Sequence, residues 1–574
     1  MAKIHSLSIR NYRGIRNFEE VFSGKPLVCL IGRGDSGKST ILEAIHCVLS
    51  PQWNMTFHDS DFTNCDTDQA IEIEVTLMDL PSRLLQEDKF GLYIRGLSIA
   101  DFTISDQLED SHESVLTIRL TVKKDLEPSW CVVNGRQEPR TISGNDRSLL
   151  NCFLVSDHTD KHFSWNRGNP LYSLLKQEAD GAQDDSDEDV VIGALRGAKR
   201  IIDKHPFPEL AEVVKKVKES AAQIGIDIDN AVNTIDFKDM MMREGRLSLH
   251  ADKVPFRLKG KGSKRLISIA IQLALVNTGG IILIDEIEQG LEPDRVQHLA
   301  AVLKSLAGGQ VFLTTHSRDV VVELDAKDLH VVAPSKQSTT ALTASVQGLL
   351  RKNPEAFFAK KVIVCEGATE VGFCRVLNRH KQSIGQKSAA VCGVRLADGA
   401  GDSAFQYSSG LSKAGFYTLL FCDSDLEKTN PIPAKKKEEL ASGGVQIVDW
   451  EVGDCLEVAI AKELPWLGII ELFGSAVRLK AGQKGISEAE AEPRLLEAVR
   501  QKYAKEIPSD FKTKEYQDLR EPIGKAASAG SWFKSVAGGQ ILGDIVLKHI
   551  ATAKASKLFS QLNALSVFID GNGL

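Results

Sequence analysis

Short apolar runs, helical repeats and alternating strands follow one another along the front of the chain. Residues 26–31 form an apolar run that enters a glycine-rich turn, a pattern typical of a buried strand. Apolar residues then recur at helical spacing over residues 41–49. Residues 71–77 and 116–122 alternate between apolar and polar positions, which predicts half-buried antiparallel strands. The front of the chain therefore combines α and β elements.

The pattern changes twice further along the chain. Residues 165–240 contain an acidic run at 184–189 and a helical repeat at 210–222, which together predict a helical insertion. Strand-like apolar runs then resume, and the tail beyond residue 460 has mostly helical periodicity. The runs suit parallel sheets and lie at residues 281–284, 311–314, 361–365, 418–422 and 445–448.

Composition excludes several classes of protein. The chain has 574 residues, of which 43% are hydrophobic and 26% are charged, and its net charge is −7. This balance is ordinary for folded protein, and the length predicts several domains. No apolar run is long enough for a membrane-spanning helix, so we expect no membrane association. The ten cysteines include no CxxC pair, which favours reduced thiols in the cytoplasm over a disulfide scaffold or zinc site.

A phosphate-binding motif follows the first buried strand. Residues 32–39 (GRGDSGKS) fit the pattern GxxxxGK[ST] between a strand and a helix, so backbone N–H groups and the helix N-terminus can surround phosphates. Lys38 would reach the β- and γ-phosphates, and Ser39 would hold Mg²⁺. The ATP-binding residues predicted for this loop are Gly32, Gly34, Asp35, Ser36, Gly37, Lys38, Ser39 and Thr40.

Two later strand ends complete the predicted nucleotide site. The apolar run at 281–284 leads into Asp285 and Glu286. Asp285 would organise Mg²⁺, and Glu286 would polarise the attacking water. The next strand, at 311–314, leads to His316, which we expect to contact the γ-phosphate.

Nearly half of the chain separates Lys38 from Asp285, far more than in a compact GTPase or kinase. The sequence resembles the ABC-type ATPases that include the RecF and SMC proteins, whose ATPase domain is split by a long insertion. Residues 9–15 (IRNYRGI) resemble their first strand and adenine-side loop. In that family, the signature motif of one subunit closes over ATP bound to the other, which implies a dimer.

Three further segments resemble motifs of that family. Residues 260–265 (GKGSKR), before a predicted helix at 266–276, look like a degenerate signature motif. The segment lacks the usual Leu-Ser start, which argues against efficient hydrolysis. Residues 290–293 (GLEP) occupy the place of the D-loop, and Asp61 is a candidate for the metal-contacting Q-loop position.

Acidic residues also follow two predicted strands in the back of the chain. Glu366 and Glu370 come after the run at 361–365, and Asp423 and Asp425 come after the run at 418–422. Carboxylates at neighbouring strand ends repel one another, and a divalent cation relieves this repulsion. With a glycine turn at residues 398–401 (DGAG), the pattern resembles the Toprim domain, a small α/β metal-binding domain.

The whole arrangement resembles the OLD nucleases (overcoming lysogenisation defect), which include the nuclease subunit of Gabija-type phage defence and retron-associated members. The resemblance implies an α/β protein with a split ABC-type ATPase domain. The two ATPase parts would be residues 1–160 and 241–345, separated by a helical dimerisation insertion at 161–240. Residues 346–574 would form a Toprim nuclease domain with a helical tail.

The resemblance further implies a two-metal nuclease site for Mg²⁺ or Mn²⁺. It also implies one further acid after Asp425 and one basic residue near the C-terminus. For each of these two positions there is a first choice and an alternative. The implied set is Glu366, Glu370 and Asp423 for one ion, Asp425 and Glu457 (alternatively Asp454) for the other, and Lys534 (alternatively Lys525) to stabilise charge on the scissile phosphate.

The leading hypothesis is an ATP-regulated, metal-dependent DNA endonuclease or nickase in anti-phage defence. It would act as a homodimer or tetramer, and family analogy suggests a helicase-like protein or a retron RNA–DNA complex as a further partner. The alternative is a RecF-like ATP-dependent DNA clamp without cleavage. A topoisomerase or primase ranks lower because no tyrosine lies in a recognisable nucleophile module. RNA stays open as a substrate because backbone cleavage needs no base readout.

Overall fold

The computed structural model describes residues 2–157, 159–164, 249–251, 254–276, 280–306, 308–332, 338–425, 432–503, 505–554 and 556–574, together with a few positions between these ranges. The acidic run at 184–189, nearly all of the helical repeat at 210–222 and most of the predicted insertion at 161–240 lie outside the described residues. Among the described helices, none has the length and apolar character needed to cross a membrane.

The front of the chain builds an antiparallel sheet. The elements of this front part of the chain are β1 (Lys3–Tyr12), β2 (Ile15–Val21), β3 (Leu27–Ile31), α1 (Lys38–Leu49), β4 (Ile71–Met78), β5 (Arg95–Ser98), β6 (Ile104–Ser105), β7 (His112–Val122), β8 (Pro128–Val133), β9 (Arg140–Thr141), α2 (Gly144–Ser148) and β10 (Cys152–Val155). The main path of the sheet runs β2-β1-β4-β7-β5-β6, with β8 paired to β7 and β9 to β8. The alternation at 71–77 predicted β4 correctly, because its isoleucines are buried while Glu72 and Glu74 are part-exposed.

A second, mostly parallel sheet lies at the centre of the molecule. The later elements of this part of the chain are β11 (His250–Ala251), β12 (Val254–Pro255), α3 (Lys261–Val276), β13 (Ile281–Ile284), α4 (Pro293–Lys304), β14 (Gln310–Thr314), α5 (Arg318–Glu323), β15 (Leu329–Val332) and β16 (Thr339–Ala341). Strands β11 and β12 pair with each other in a separate two-stranded sheet. The strand order of the central sheet is β10-β13-β14-β3-β15-β16, and every pair is parallel except β15 with β16. The carboxyl ends of β3, β13 and β14 therefore meet at one edge.

The start of α3 differs from the sequence prediction. We expected the helix at 266–276 to follow the glycine-containing segment at 260–265, but the helix begins at Lys261. Gly262 allows this early start because a Cβ atom there would overlap the carbonyl oxygen of Gly290. The signature-like and D-loop-like segments consequently touch each other through their backbones.

A third sheet carries the acidic motifs. Its elements are α6 (Gln347–Lys352), β17 (Lys361–Cys365), α7 (Ala368–Ser383), β18 (Val394–Asp398), α8 (Ser403–Lys413), β19 (Tyr417–Phe421), α9 (Ile432–Ser442) and β20 (Gln446–Val448). The sheet is parallel, in the order β18-β17-β19-β20. The predicted strand positions shift by at most one residue at either end. One apolar core joins this sheet to the central one, since it includes Cys29 and Ile284 as well as Val364 and Leu420.

The tail is helical, as its periodicity predicted. It consists of α10 (Leu456–Glu463), α11 (Trp466–Lys484), α12 (Glu488–Tyr503), α13 (Arg520–Ala529), α14 (Val536–His549) and α15 (Lys557–Asp570). Helix α14 packs closely on α7, and a Cβ atom on Gly539 would overlap the carbonyl oxygen of Thr369. At the other end of α7, Lys381 forms a 2.8 Å ion pair with Asp570 in which both side chains are fully buried.

The close α7–α14 packing predicts that Gly539→Ala destabilises the fold. The added methyl group would force the helices apart, which costs about 1–3 kcal/mol. Gly482→Ala is a matched control because nothing lies within 4 Å of its added Cβ in α11. It should be neutral or stabilise by about 0.5–1 kcal/mol. Urea unfolding followed by circular dichroism measures both, and equal midpoints for the two variants would contradict the packing.

Candidate functional site

The phosphate loop lies between β3 and α1, as the sequence predicted. Gly32 and Gly37 have φ angles of 147° and 94°, conformations that glycine adopts without strain. A Cβ atom on Gly32 would also lie 2.6 Å from the carbonyl oxygen of Val332, so no larger residue fits there. Gly34 and Asp35 are exposed, while Ser39 and Thr40 are half-buried in the first turn of α1.

Lys38 points into its own loop. Its Nζ donates to the carbonyl oxygens of Gly32 at 3.1 Å and Arg33 at 2.8 Å, and to the hydroxyl of Ser36 at 3.3 Å. Burial lowers the pKa of Lys38, and Asp285 and Glu286 oppose this shift. An ammonium group held by carbonyl oxygens can exchange them for phosphate oxygens without moving far.

Asp285 bridges two elements of the nucleotide site. Its Oδ1 accepts hydrogen bonds from Ser39 Oγ at 2.9 Å and from Thr314 Oγ1 at 2.7 Å. Thr314 Oγ1 also accepts from the backbone N–H of Glu286 at 2.7 Å. The sequence prediction included Ser39, Asp285 and Glu286 but missed Thr314. The only sequence feature that pointed to Thr314 was its position at the end of the strand that leads to His316.

Glu288 holds the loop that carries His316. Its carboxylate accepts from Thr315 Oγ1 at 2.7 Å and from the backbone N–H of His316 at 2.6 Å. The His316 ring is exposed on the same side as the phosphate loop, and both burial and Lys38 lower its pKa. Sequence reasoning missed Glu288, although its position three residues after Asp285 was visible.

The signature-like helix also contacts the Asp285 segment. The guanidinium of Arg265 is buried and donates to the carbonyl oxygens of Asp285 and Glu286, the latter at 2.8 Å. It also donates to Gln289 Oε1 at 2.9 Å. The Q-loop candidate Asp61 is engaged elsewhere, because its carboxylate accepts from Arg13 Nε at 2.9 Å and from the backbone N–H of His58 at 3.0 Å.

The third sheet brings together four of the predicted acids. Strands β17 and β19 are neighbours, so Glu366 and Asp423 leave the same sheet edge side by side. Glu370 lies in the first turn of α7, and Glu457 lies in the first turn of α10. We call Glu366, Glu370, Asp423 and Glu457 the acid cluster.

Backbone N–H groups hold three members of the acid cluster. Glu366 Oε2 accepts from the N–H of Asp423, Glu370 Oε2 from that of Gly367, and Asp423 Oδ1 from that of Leu456. Each of these three distances is 2.9 Å. Glu370 is only 6% exposed.

The carboxylates of the acid cluster repel one another. Burial raises the pKa of Glu370 to about 7, and the charges of Glu457 and Glu366 add to this rise. Burial, with Glu370, Glu366 and Glu457, likewise raises the pKa of Asp423 well above its usual value. Burial raises the pKa of Glu366, and the exposed Asp425 contributes to that increase. The predicted acids therefore interact electrostatically although the chain separates them widely.

The alternative acid, Asp454, lies apart from this interaction. It is buried and forms a two-pronged ion pair with Lys462, at 2.9 and 2.7 Å. Of the basic candidates, Lys525 pairs with Glu521 on its own helix at 2.6 Å. Lys534 is exposed and follows Phe533, whose carbonyl oxygen accepts a hydrogen bond from Thr369 beside Glu370. Asp454 is thus paired with Lys462, and Lys534 lies on a segment that touches α7.

The chemistry of the acid cluster suits a hard divalent cation, because Mg²⁺ and Mn²⁺ bind carboxylate oxygens. Within the ranges described above, however, no three acidic, histidine or cysteine side chains are gathered closely enough to enclose an ion. Three of the carboxylates instead accept hydrogen bonds from backbone N–H groups. Metal binding would require some of these side chains to exchange an N–H partner for the ion.

Two family models match segments in the front part of the chain. A family model described as AAA ATPase domain matches residues 2–131. A second, described as AAA domain, putative AbiEii toxin, Type IV TA system, matches residues 210–323. Together the two matched segments contain both halves of the nucleotide site. The chain therefore carries ATPase-domain sequence on either side of residues 132–209.

Two curated relatives are similar to longer stretches. An OLD nuclease of Thermus scotoductus is 26% identical over 405 residues, covering 63% of this chain and 71% of the relative. The DNA replication and repair protein RecF of Parabacteroides distasonis is 21% identical over 359 residues, covering 56% of this chain and 93% of the relative.

Solved structures overlap with this chain only partly. An Smc head domain from Pyrococcus furiosus, bound to the C-terminal domain of ScpA, matches with a TM-score of 0.33 and 16% identity, over 60% of this chain and 96% of that one. The recombination mediator protein RecF matches with a TM-score of 0.31 and 14% identity, over 60% of this chain and 98% of that one.

The raised pKa of Glu370 predicts a pH-dependent stability. In the absence of divalent ions, the folded chain binds this proton more tightly than the unfolded chain, so stability falls as the pH rises from 4.5 towards about 7. Glu370→Gln keeps an oxygen for the N–H of Gly367 and should stabilise the fold at pH 8 by up to about 3 kcal/mol. At pH 4.5 the gain should vanish.

Urea unfolding in EDTA at both pH values measures this difference. Glu438→Gln is the control, because Glu438 is an exposed acid on α9, outside the acid cluster. A Glu370→Gln variant that gains nothing at pH 8 would show that the carboxylates do not repel one another in the folded protein.

Proposed function

We propose that this protein is an ATP-regulated, divalent-metal-dependent DNA endonuclease or nickase. The observation that carries the proposal is the acid cluster: Glu366 and Asp423 leave adjacent parallel strands side by side, and burial together with the neighbouring carboxylates raises the pKa of Glu370 and Asp423. Uncompensated carboxylates destabilise a fold, so a cluster of them points to a ligand that compensates their charge. The similarity to an OLD nuclease over 63% of the chain supports the same class of activity.

Five side chains would hold the metal ions. Glu366, Glu370 and Asp423 would bind one ion, and Asp425 and Glu457 would bind the other. When bound, a pair of such ions activates a water molecule and stabilises the leaving oxygen of a phosphodiester. Lys534 would then sit beside the phosphate and stabilise its negative charge.

The nucleotide site would bind ATP with Mg²⁺, as the AAA domain matches support. Lys38 would contact the β- and γ-phosphates, and Ser39 and Asp285 would hold the Mg²⁺ ion. Glu286 would orient water, and His316 would contact the γ-phosphate. An ABC-type head that dimerises around ATP, and an anti-phage role for the protein, are parts of the same proposal.

Contacts between the nucleotide site and the third sheet support regulation by ATP. The His316 ring lies 6.3 Å from that of Phe358, in the connector that leads into β17 and Glu366. In the same connector, Asn353 exchanges hydrogen bonds with the backbone of Asp398 at 3.2 and 3.4 Å. The following turn reaches the acid cluster, because the N–H of Gly401 donates to the carbonyl oxygen of Glu366 at 2.8 Å.

A second contact runs in parallel with this path. The Arg33 side chain of the phosphate loop packs so closely on Gly393 that an added Cβ atom would overlap it. The carbonyl oxygen of Gly393 accepts from the N–H groups of Lys360 and Lys361, where β17 begins. Movement of the phosphate loop would therefore reach the start of β17, and movement of the His316 loop would reach Glu366 at its end.

A RecF-like DNA clamp is the second candidate, because RecF is similar to 56% of the chain and nearly its whole length is covered. A clamp needs no acid cluster, and four carboxylates weaken any surface that binds phosphates. The two candidates therefore differ in one measurable property, which is cleavage.

Metal-dependent cleavage of supercoiled plasmid tests the proposal. We expect nicks or breaks with Mg²⁺ or Mn²⁺ and a loss of at least about 100-fold in Asp423→Asn, since metal ligation is worth several kcal/mol in the transition state. Glu438→Gln should cleave like the parent protein. Absence of cleavage with every metal and nucleotide tested would favour the clamp.

The connector predicts a variant that separates ATP binding from ATP control. Phe358→Leu weakens the contact with His316, so cleavage should lose most of its dependence on ATP while a fluorescent ATP analogue still binds. Phe559→Leu is the control, since Phe559 is a similarly part-buried phenylalanine in α15. An unchanged ATP dependence in Phe358→Leu would show that this path carries no signal.

A further inference from the structure

A buried lysine supports the loop that runs from Asp423 to Asp425. Lys437 lies on α9 and is 6% exposed, whereas its neighbours Lys435 and Lys436 are exposed. Its Nζ donates to the carbonyl oxygen of Asp423 at 3.0 Å and to the hydroxyl of Ser424 at 2.8 Å.

A carboxylate that follows strand β20 pairs with this ammonium group. Nζ of Lys437 forms an ion pair with Asp449 Oδ2 at 3.0 Å, directly after β20. The carboxylate of Asp449 keeps the ammonium charge compensated in its buried position. Lys437 therefore joins α9, the end of β19 and the end of β20.

The same loop is held from its other side by backbone bonds. The N–H of Ser424 donates to the carbonyl oxygen of Asp454 at 2.9 Å, and the N–H of Gly453 donates to that of Ser424 at 2.8 Å. With Lys437 on the opposite side, the backbone between Asp423 and Asp425 has a fixed direction. That direction decides where both carboxylates point.

We propose that Lys437 is a positioning residue for the metal-binding acids, and this inference rests on the proposed function. Lys437 does not touch DNA or metal, because its ammonium group is buried against the loop. It fixes the Asp423–Asp425 backbone so that Asp423 can bind one ion with Glu366 and Glu370, and Asp425 can bind the other ion with Glu457. Side chains that orient metal ligands typically contribute a factor of about 10–100 in metal affinity.

The direction of the change in metal affinity on removal of Lys437 distinguishes a positioning role from a purely electrostatic one. A nearby ammonium charge repels a divalent cation, and its charge already opposes the rise in the pKa of Glu366. If Lys437 acted only through its charge, its removal would tighten metal binding. If it positions the loop, its removal weakens metal binding in spite of the lost repulsion.

Mn²⁺ binding to the full chain, measured by titration calorimetry and by electron paramagnetic resonance of free Mn²⁺, tests the inference without any cleavage assay. We expect Lys437→Met to weaken Mn²⁺ binding by about tenfold or more. Lys436→Met is the matched control, because its ammonium group lies on the same helix, 5.6 Å from the Phe405 ring, and does not support the loop. It should bind Mn²⁺ like the parent protein.

Two milder variants cover the case in which Lys437→Met does not fold. Ser424→Ala removes one contact of the ammonium group, and Asp449→Asn removes its anchor while leaving every acid of the cluster in place. Each should weaken Mn²⁺ binding by several-fold, and in the Ser424→Ala/Asp449→Asn double variant the effects should not add, because both residues contact the same ammonium group. Coupling of this kind would not arise from general loss of stability.

The outcomes keep the two proposals distinct. Unchanged or tighter Mn²⁺ binding in Lys437→Met and in both milder variants overturns the positioning role, even if the parent protein cleaves DNA. Weaker binding in these variants supports that role even if the parent protein binds Mn²⁺ and cleaves nothing, which would overturn the proposed nuclease activity alone. Failure of the parent protein to bind Mn²⁺ overturns both.

Discussion

Parallel strands end at a common edge, and this one constraint creates both candidate sites. In the central sheet, β3, β13 and β14 deliver Lys38, Asp285 and His316 to one place. In the third sheet, β17 and β19 do the same for Glu366 and Asp423. The strands themselves can stay almost wholly apolar, since the polar residues begin where the strands stop. A shared core of apolar residues then holds the two edges in a fixed relation.

The charged side chains are compensated differently in the nucleotide site and in the acid cluster. In the nucleotide site, the ammonium group of Lys38 and the guanidinium of Arg265 lie close to Asp285 and Glu286, so opposite charges lie side by side. In the third sheet, four carboxylates are balanced only in part, by backbone N–H groups and by the buried Lys437. The first arrangement is stable without a ligand, whereas the second stores repulsion that a cation would relieve.

The sequence allowed the strands that carry both motifs, and the motif positions themselves, to be predicted, because these depend on local patterns. Alternation identified β4 and β7, and apolar runs identified β3, β13, β14, β17, β19 and β20 to within one residue at each end, whereas the parallel strands β10, β15 and β18 were missed. The early start of α3 was not predictable, since it depends on the contact between Gly262 and Gly290. Thr314, Glu288 and Lys437 were missed for a similar reason. Each makes its contact across strands or helices, and in a run of three lysines only tertiary packing decides which one is buried.

The ion pair between Lys381 and Asp570 has a consequence for how the protein is made. Helix α7, which carries Glu370, leaves the ribosome long before α15, which supplies the counter-charge for Lys381. Until then, seating α7 in its final place would bury a cation without a partner, at a cost of about 3–5 kcal/mol. The carboxylates beside Glu370 are thus assembled only after α15 has been synthesised.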